Sequence, residues 1–413
     1  MATTHDIDPA ARDAMKREVV AEIDRMAGLL VDISHDIHAH PELNYEETHA
    51  HAVLTDVLAS QFDVPGHSLT RHAFGVDTAF HATSPEIAGA PRVGILLEYD
   101  ALPEIGHACG HNVIAAAGLG AALALHTVVS SAGGVLEVYG TPAEEGGGGK
   151  IAMARNGAFR GLDAAMMVHP ADANLQSMRA IAIHECCAEF HGREAHAAAA
   201  PHKGINALDG AVLAYNSIAA LRQHIRPTER IHGVFTHGGD KANIVPKYSA
   251  MNWYVRSDTL ETLRPLKKRV EDCFRGAAVA TGCTVDIEWE DHAYADVRDS
   301  MAILAAYVEN GKSIGREFLQ PSQDNMVVGS TDMGNVSYIA PSIHPIIKVA
   351  PAGVPIHTAK FADYAGGPEG DLAILDGAKT LAMTAIDIWA SGDLRRAIKN
   401  EFAALGPVPD DAL

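Results

Sequence analysis

The chain runs to 413 residues, more than one ordinary hydrophobic core holds, so two domains are expected. Hydrophobic residues make up 47% and charged residues 20%, the balance of a folded globular chain. Lys and Arg number 32 against 52 Asp and Glu, a formal net charge of −20 that disfavours nucleic acid and anionic membrane surfaces as partners.

Residues 1–20 mix acids and bases, with no apolar stretch of the kind a secretory signal needs. The Ala- and Leu-rich run from Val113 to Leu125 is short and interrupted by glycine, so no membrane-spanning helix is expected. An odd count of five cysteines argues against a disulfide framework and for a reducing cytoplasm.

In chain order, Met15, Val19, Ile23, Met26, Leu30, Ile33 and Ile37 carry helical spacing across 12–38, and Pro41 ends that helix. A second helix is expected over 46–62. The run 93–98 is almost continuously apolar, as in a strand buried on both faces. A helix over 113–129 follows, then buried strands at 135–139 and 164–168. This strand–helix rhythm predicts an α/β domain. Residues 183–192 read as a strand. Ile205, Leu208, Val212, Tyr215, Ile218, Leu221 and Ile225 mark an amphipathic helix. Strands at 231–236 and 248–256, a helix over 260–280 and a strand at 283–288 complete a ferredoxin-like βαββαβ unit that can sit as an insert. From about 298 the α/β pattern resumes, closing on a helix over 371–390. The Pro- and Asp-rich tail after Gly406 is expected to fray. The division expected is 1–184 and 298–413 for the α/β domain and 185–297 for the insert.

Three polar stretches follow directly on the three buried strands. After the first come Glu98-Tyr-Asp-Ala-Leu-Pro103 and His107-Ala-Cys-Gly-His-Asn112, after the second Thr141-Pro-Ala-Glu-Glu145, and at the end of the third His169-Pro170. Ligand sites in open α/β sheets lie at the carboxyl ends of strands, so these residues are placed to meet. An isolated Cys-x-His pair is more often a buried thiol beside a capping imidazole, but Cys109 and His111 also offer a thiolate and an imidazole, a pair suited to zinc and its neighbours. Adjacent Glu144 and Glu145 point apart in an extended segment, so one can bind metal while the other serves as a base. His357, in Gly353-Val-Pro-Ile-His357, is ambiguous alone. His38, His40 and His49, with several other histidines, are read as surface or supporting residues without chemistry.

Taken together, the Glu-Tyr-Asp-Ala-Leu-Pro, His-Ala-Cys-Gly-His-Asn and Pro-Ala-Glu-Glu stretches resemble the M20 metallopeptidases, most of all their amidohydrolase branch. Gly329-Ser-Thr-Asp-Met-Gly-Asn-Val-Ser337, with Pro341 and His344-Pro345, resembles the group of M20 domain-containing protein 2 and aminobenzoyl-glutamate hydrolase. Asn112 departs from the Asp usual in the amidohydrolase branch. The resemblance implies a zinc-peptidase-like catalytic domain with an inserted α+β lid that pairs two chains into a homodimer. It implies two divalent metal ions in each chain, zinc or manganese, with cobalt or nickel also suited. Cys109 matches the bridging ligand, and His111, Glu145, His169 and His357 match the others. Glu144 matches the general base, Asp100 an acid orienting a ligand, and His196 a lid histidine that reaches the partner's site. Asn243 and Arg256 match groups holding the substrate carboxylate; His344 and Gly353 are assigned to the substrate side. The expected activity is metal-dependent hydrolysis of an amide bond in a small acyl-amino acid or dipeptide with a free carboxylate. The alternative is a catalytically silent binding or regulatory protein on the same scaffold, which a missing ligand or base would signal.

Overall fold

The computed structural model describes residues 6–62, 66–322 and 328–413. The chain forms two compact units. The first comprises the chain up to Arg179, then Val297–Pro409 and Leu413; the second comprises Ala180–Asp296 with Asp410–Ala412.

The first unit opens with helices α1 (Pro9–Arg25), α2 (Ala27–Ala39) and α3 (Thr48–Gln61). One helix is expected over 12–38, but the chain breaks at Met26, whose φ of −90° and ψ of 3° leave the helical region. The apolar stripe runs through the break, because Met26 stays buried between Ile23 and Leu30. Strands β1 (Ser68–Arg71), β2 (Phe80–Thr83), β3 (Arg92–Leu97), β4 (Val135–Gly140) and β5 (Ala164–Met166) follow, with α4 (His111–Val128) between β3 and β4. α5 (Gly149–Arg155) precedes β5, and β6 (His169–Ala171) follows it.

The two-residue strand β7 (Arg179–Ala180) leads to the second unit. This holds β8 (Ala182–His191), α6 (Ala207–Leu221), β9 (Arg230–His237), β10 (Tyr248–Ser257), α7 (Leu260–Thr281) and β11 (Thr284–Trp289). The chain then returns to the first unit through α8 (Met301–Ser313), β12 (Val328–Gly329), α9 (Met333–Ser337), β13 (Ser342–Ile343), β14 (Ile346–Lys348), α10 (Ala359–Ala365), α11 (Pro368–Ala390) and α12 (Gly392–Ala404).

The main sheet of the first unit has the order β1-β2-β4-β3-β5-β13. β4, β3, β5 and β13 run parallel, while β1 and β2 are antiparallel additions at one edge. β4 and β5 are buried at every position, and β3 at all but Arg92, so these strands show no alternation of polarity. The third expected strand divides in two: β5 ends at Met166, and His169 opens β6, which pairs instead with β14. α4 is eighteen residues long, longer than its apolar run suggests, and by length and hydropathy alone matches a membrane span. Of its residues 89% are buried inside the unit, against α11, α2 and β3, which makes it the core helix.

In the second unit the sheet order is β11-β8-β10-β9, antiparallel throughout, with α6 and α7 packed together. This is the expected ferredoxin-like order. β8 alternates buried and half-buried positions, the pattern of a sheet with one face covered. The tail does not fray at its end: Asp411 accepts a bond from Arg264 Nε at 2.7 Å, and Ala412 is buried.

One buried carboxylate ties the polar edge of the main sheet together. Glu137 on β4 accepts from Arg92 Nε on β3 at 2.7 Å, from His81 Nε2 on β2 at 2.9 Å, and from the Tyr139 hydroxyl. Burial alone would raise its pKa, but His81, Tyr139 and Arg92 outweigh it and bring the carboxyl down to about 2. A depressed folded-state pKa contributes stability that is present above the unfolded pKa and is lost as pH falls through the folded one. Acid titration of unfolding should therefore show Glu137→Gln losing up to about 3 kcal/mol of the wild-type slope between about pH 4.5 and 2. An unchanged slope would remove Glu137 from the account.

Candidate metal centre

The parallel strands β3, β4 and β5 deliver their following residues to one edge of the sheet. Beyond β3 the chain reaches Asp100, then loops through Cys109 to His111 at the start of α4. Gly110 caps α4 with a φ of +78°, and a Cβ there would meet Pro170 Cγ at 2.6 Å. Beyond β4 comes Ala143, whose φ of +58° is unusual for a residue with a side chain, and then Glu144 and Glu145. Gly149 closes that loop, where a Cβ would lie 1.8 Å from the Pro142 carbonyl oxygen. His357 also has a positive φ, +63°, and its N–H donates to the Ala108 carbonyl at 2.8 Å, which fastens it to the Cys109 loop.

Five sequence-assigned ligands meet here. Cys109, His111 and His169 form one group whose ligand atoms all lie within 4.8 Å; Cys109, Glu145 and His357 form a second; His111, Glu144 and Glu145 form a third. Cys109 is common to the first two groups. Cys109 Sγ lies 3.5 Å from His169 Nε2, and Glu145 Oε1 lies 3.3 Å from His357 Nε2. Asp100 orients two of these residues at once. Its Oδ1 is 3.0 Å from His111 Nδ1, and its Oδ2 accepts the Glu145 N–H at 2.9 Å. Glu144 Oε2 faces the other ring nitrogen of His111 at 3.8 Å.

The ring nitrogens show which atoms face the centre. His169 Nδ1 is bonded to the Pro170 carbonyl at 2.8 Å, which leaves Nε2 toward Cys109. His111 Nε2 is buried and has no hydrogen-bond partner, and Glu145 Oε1 is buried with His357 Nε2 beside it at 3.3 Å. A buried imidazole nitrogen without a partner, beside a buried thiol and a buried carboxylate oxygen, fits divalent metal. The electrostatics agree. Burial and the nearby Glu145 push the Cys109 thiol well above its ordinary pKa, so its thiolate needs an added positive charge. Burial lowers His169 to about 4, which keeps its imidazole neutral and able to coordinate. Burial, Glu98 and Glu145 raise Glu144 well above the usual carboxylate range. Despite burial, bonding to His357 and the charge of His111 hold Glu145 low.

The remaining assigned residues are placed as follows. His344 is wholly buried, its ring centroid 5.3 Å from that of His169, and neither ring nitrogen has a hydrogen-bond partner. Gly353 is exposed and donates its N–H to Asp172 Oδ2 at 2.8 Å. His196 and Asn243 belong to the second unit and lie in adjoining loops, the Ala197 N–H donating to the Asn243 carbonyl at 3.0 Å. His196 Nδ1 accepts from the N–H groups of Ala198 and Ala199, so Nε2 is its donor nitrogen. Arg256 is not beside Asn243. It lies near the far end of β10, roughly 25 Å along the strand at the ordinary rise of ~3.3 Å per residue.

Four residues without an assigned role support the centre. Lys150 is completely buried, with Nζ 2.6 Å from Glu98 Oε1 and 2.6 Å from Asp332 Oδ1. Glu98 Oε2 lies 3.5 Å from His111 Nε2, so the triad adjoins the candidate metal ligands. Burial opposes the charged lysine, but Asp332 and Glu98 hold it protonated. Glu47 is the fourth: its Oε1 accepts the Ala143 N–H at 2.9 Å and its Oε2 the Thr78 hydroxyl at 2.7 Å, which holds the strained residue before Glu144. Glu98 and Asp332 stand inside the motifs quoted for the resemblance. Lys150 follows a glycine run and carries no signal of its own.

A model of peptidase family M20/M25/M40 matches residues 97–365. The chain belongs to this family, and it is a hydrolase. It is similar to the Xaa-Arg dipeptidase of Mus musculus, 43% identical over 95% of this chain and 93% of that protein. It is similar also to one of the two p-aminobenzoyl-glutamate hydrolase chains of Escherichia coli, 29% identical over 90% of this chain and 91% of that protein. Among solved structures, a dinuclear metal binding peptidase of the M20 family from Bacillus subtilis superposes with a TM-score of 0.68 at 17% identity. That match covers 88% of this chain and 99% of the other and shows the shared fold.

Replacing Lys150 by Met should strand two buried carboxylates and cost about 3–5 kcal/mol in chemical unfolding. Adding Asp332→Asn should recover part of that loss, since one stranded charge is then removed. Strictly additive losses in the double variant would show that the pair is not coupled.

Proposed function

We propose that this protein hydrolyses the amide bond of small dipeptides or acyl-amino acids with a free carboxylate, using two divalent metal ions held by Cys109, His111, Glu145, His169 and His357. The convergence of one thiol, three imidazoles and Glu145 around a shared cysteine carries this reading. Metal bound there would polarise the scissile carbonyl and make a water acidic enough to deprotonate near neutral pH. Glu144 is the base: its neighbours raise its proton affinity, so it can take a proton from that water and return it to the leaving amine. Asp100 positions both His111 and Glu145 and makes no contact with substrate in this scheme. The Xaa-Arg dipeptidase relative points to dipeptides with a basic C-terminal residue, and a net charge of −20 favours capture of cations.

The oxyanion and carboxylate contacts are assigned to a homodimer. Arg256 near one end of β10 and Asn243 in the loop before its other end support a reading in which a second copy supplies His196 and Asn243. Support comes from exposed apolar residues on that unit, Val234 and Phe235 on the edge strand β9 and Val212 and Leu213 on α6. His196 would donate through Nε2 to the developing oxyanion. Zinc and manganese lead the candidate metals, with cobalt and nickel behind. A cytoplasmic location suits the five free thiols.

Glu144→Gln should keep the metal content of the wild type while lowering turnover by about 10²–10⁴. A panel of Xaa-Arg, Xaa-Lys and Xaa-Glu dipeptides and p-aminobenzoyl-glutamate, with each metal restored in turn, should rank the basic dipeptides first. A variant that turned over normally, or wild-type protein that held metal and cleaved nothing, would defeat this reading. Mixing inactive His196→Ala and Glu144→Ala chains should restore up to about a quarter of wild-type activity, because heterodimers contain one complete site. No recovery in verified heterodimers would place His196 in its own chain's site.

A further inference from the structure

A second group of metal-binding side chains lies away from the centre, on the turn between α2 and α3. Asp36 stands one helical turn before His40 at the end of α2, and His49 lies in the first turn of α3. Each offers one ligand atom, and the three lie within 4.8 Å of one another. His49 Nε2 is 2.8 Å from Asp36 Oδ2, and His40 Nδ1 is 3.3 Å from Asp36 Oδ1 while hydrogen-bonded to the Asp36 backbone carbonyl at 2.8 Å. The two imidazole rings are 4.4 Å apart. The side chains of His40, Asp36 and His49 are 56%, 40% and 38% exposed, so all three are open to solvent.

We propose that Asp36, His40 and His49 form a peripheral site for one divalent transition metal ion, distinct from the buried centre. Two imidazole nitrogens and one carboxylate oxygen suit zinc, cobalt, nickel or copper, with water in the remaining positions. They are a poor match for magnesium or calcium, which prefer oxygen ligands. Asp36 is paired by these two imidazoles and, among the described residues, by no lysine or arginine. A single ion can take a ligand atom from each of the three groups at once. Being half-exposed, the side chains can open the 2.8 Å contact by the few tenths of an ångström that two ligands on one ion require.

The position gives the ion a structural consequence. The turn it would clamp carries three attachments to the loops of the buried centre. The Glu42 carbonyl accepts the Ala101 N–H at 2.8 Å, and the Tyr45 hydroxyl donates to the Gly147 carbonyl at 2.6 Å. Glu47 Oε1 accepts from Ala143. An ion joining α2 to α3 stiffens the segment from which these bonds are made.

The test titrates metal-stripped protein with Ni²⁺, counting bound ions by elemental analysis and following the melting temperature. Wild type should bind one equivalent more than His40→Ala/His49→Ala, and should show a larger nickel-dependent rise in melting temperature than the variant. Because the reading is a difference between two proteins, it does not depend on how many ions the buried centre takes. Asp36→Asn should weaken the same equivalent. His35→Ala/His38→Ala, two neighbouring histidines outside the group, should retain it. Equal stoichiometry in wild type and His40→Ala/His49→Ala would overturn the proposal, as would loss of the equivalent in the His35/His38 control.

Discussion

Acid groups buried at the carboxyl edge of a parallel sheet are the constraint around which the rest is arranged. Glu98, Asp100, Glu144 and Asp332 are all buried there, with the Cys109 thiol among them and Glu145 at the margin. Carboxylates taken out of water need opposite charge or donors close by, or they take up protons instead. The chain meets this in two ways. Lys150 compensates Glu98 and Asp332 from behind, at 2.6 Å from each. In front, the imidazoles of His111, His169 and His357 turn their nitrogens toward the thiol and Glu145, an arrangement suited to divalent cations. The dryness that makes the charges costly comes from β3, β4, β5 and α4, which are buried on almost every side.

Precision at that edge comes from residues that do not face the substrate. Ala143 and His357 both hold left-handed backbone conformations that cost about 1 kcal/mol or more, and each is held by a hydrogen bond from a different part of the chain. Glu47 fixes the first and the Ala108 carbonyl the second. Asp100 then couples the two carboxyl-edge loops, since one carboxylate binds the His111 ring and the Glu145 backbone. Small displacements in any of these supports would move a ligand, and the strained residues show that the local chain alone would not choose these positions.

The second unit raises a different question of geometry. Its helices and four-stranded sheet make a complete fold, yet the residues with assigned chemistry lie at opposite ends of it. Among its exposed apolar residues, Val234 and Phe235 lie on an edge strand and Val212 and Leu213 on α6, where an unpaired backbone edge and apolar side chains favour pairing.

The amino-acid sequence by itself determined the elements whose signal is local. Unbroken apolar runs marked the buried strands, three-and-four spacing marked α6, and the strand–helix order separated an α/β unit from a ferredoxin-like one. It also placed Cys109, His111, Glu145 and His169 after strands, and motif likeness added His357 to them and separated Glu144 from its neighbour. Other features were decided only in three dimensions. Nothing near Lys150 marks it as buried, because its partner Asp332 lies 182 residues away and lysines are ordinarily solvated. The break at Met26 leaves the apolar stripe intact, so periodicity does not register it. His169 leaves the main sheet because β14, far along the chain, offers it another partner. His40 and His49 read singly as surface histidines, and only the turn at Pro41 brings His49 onto Asp36 and His40. Spacing along a chain reports which face a residue takes on its own element; which charges meet is set by how distant elements pack.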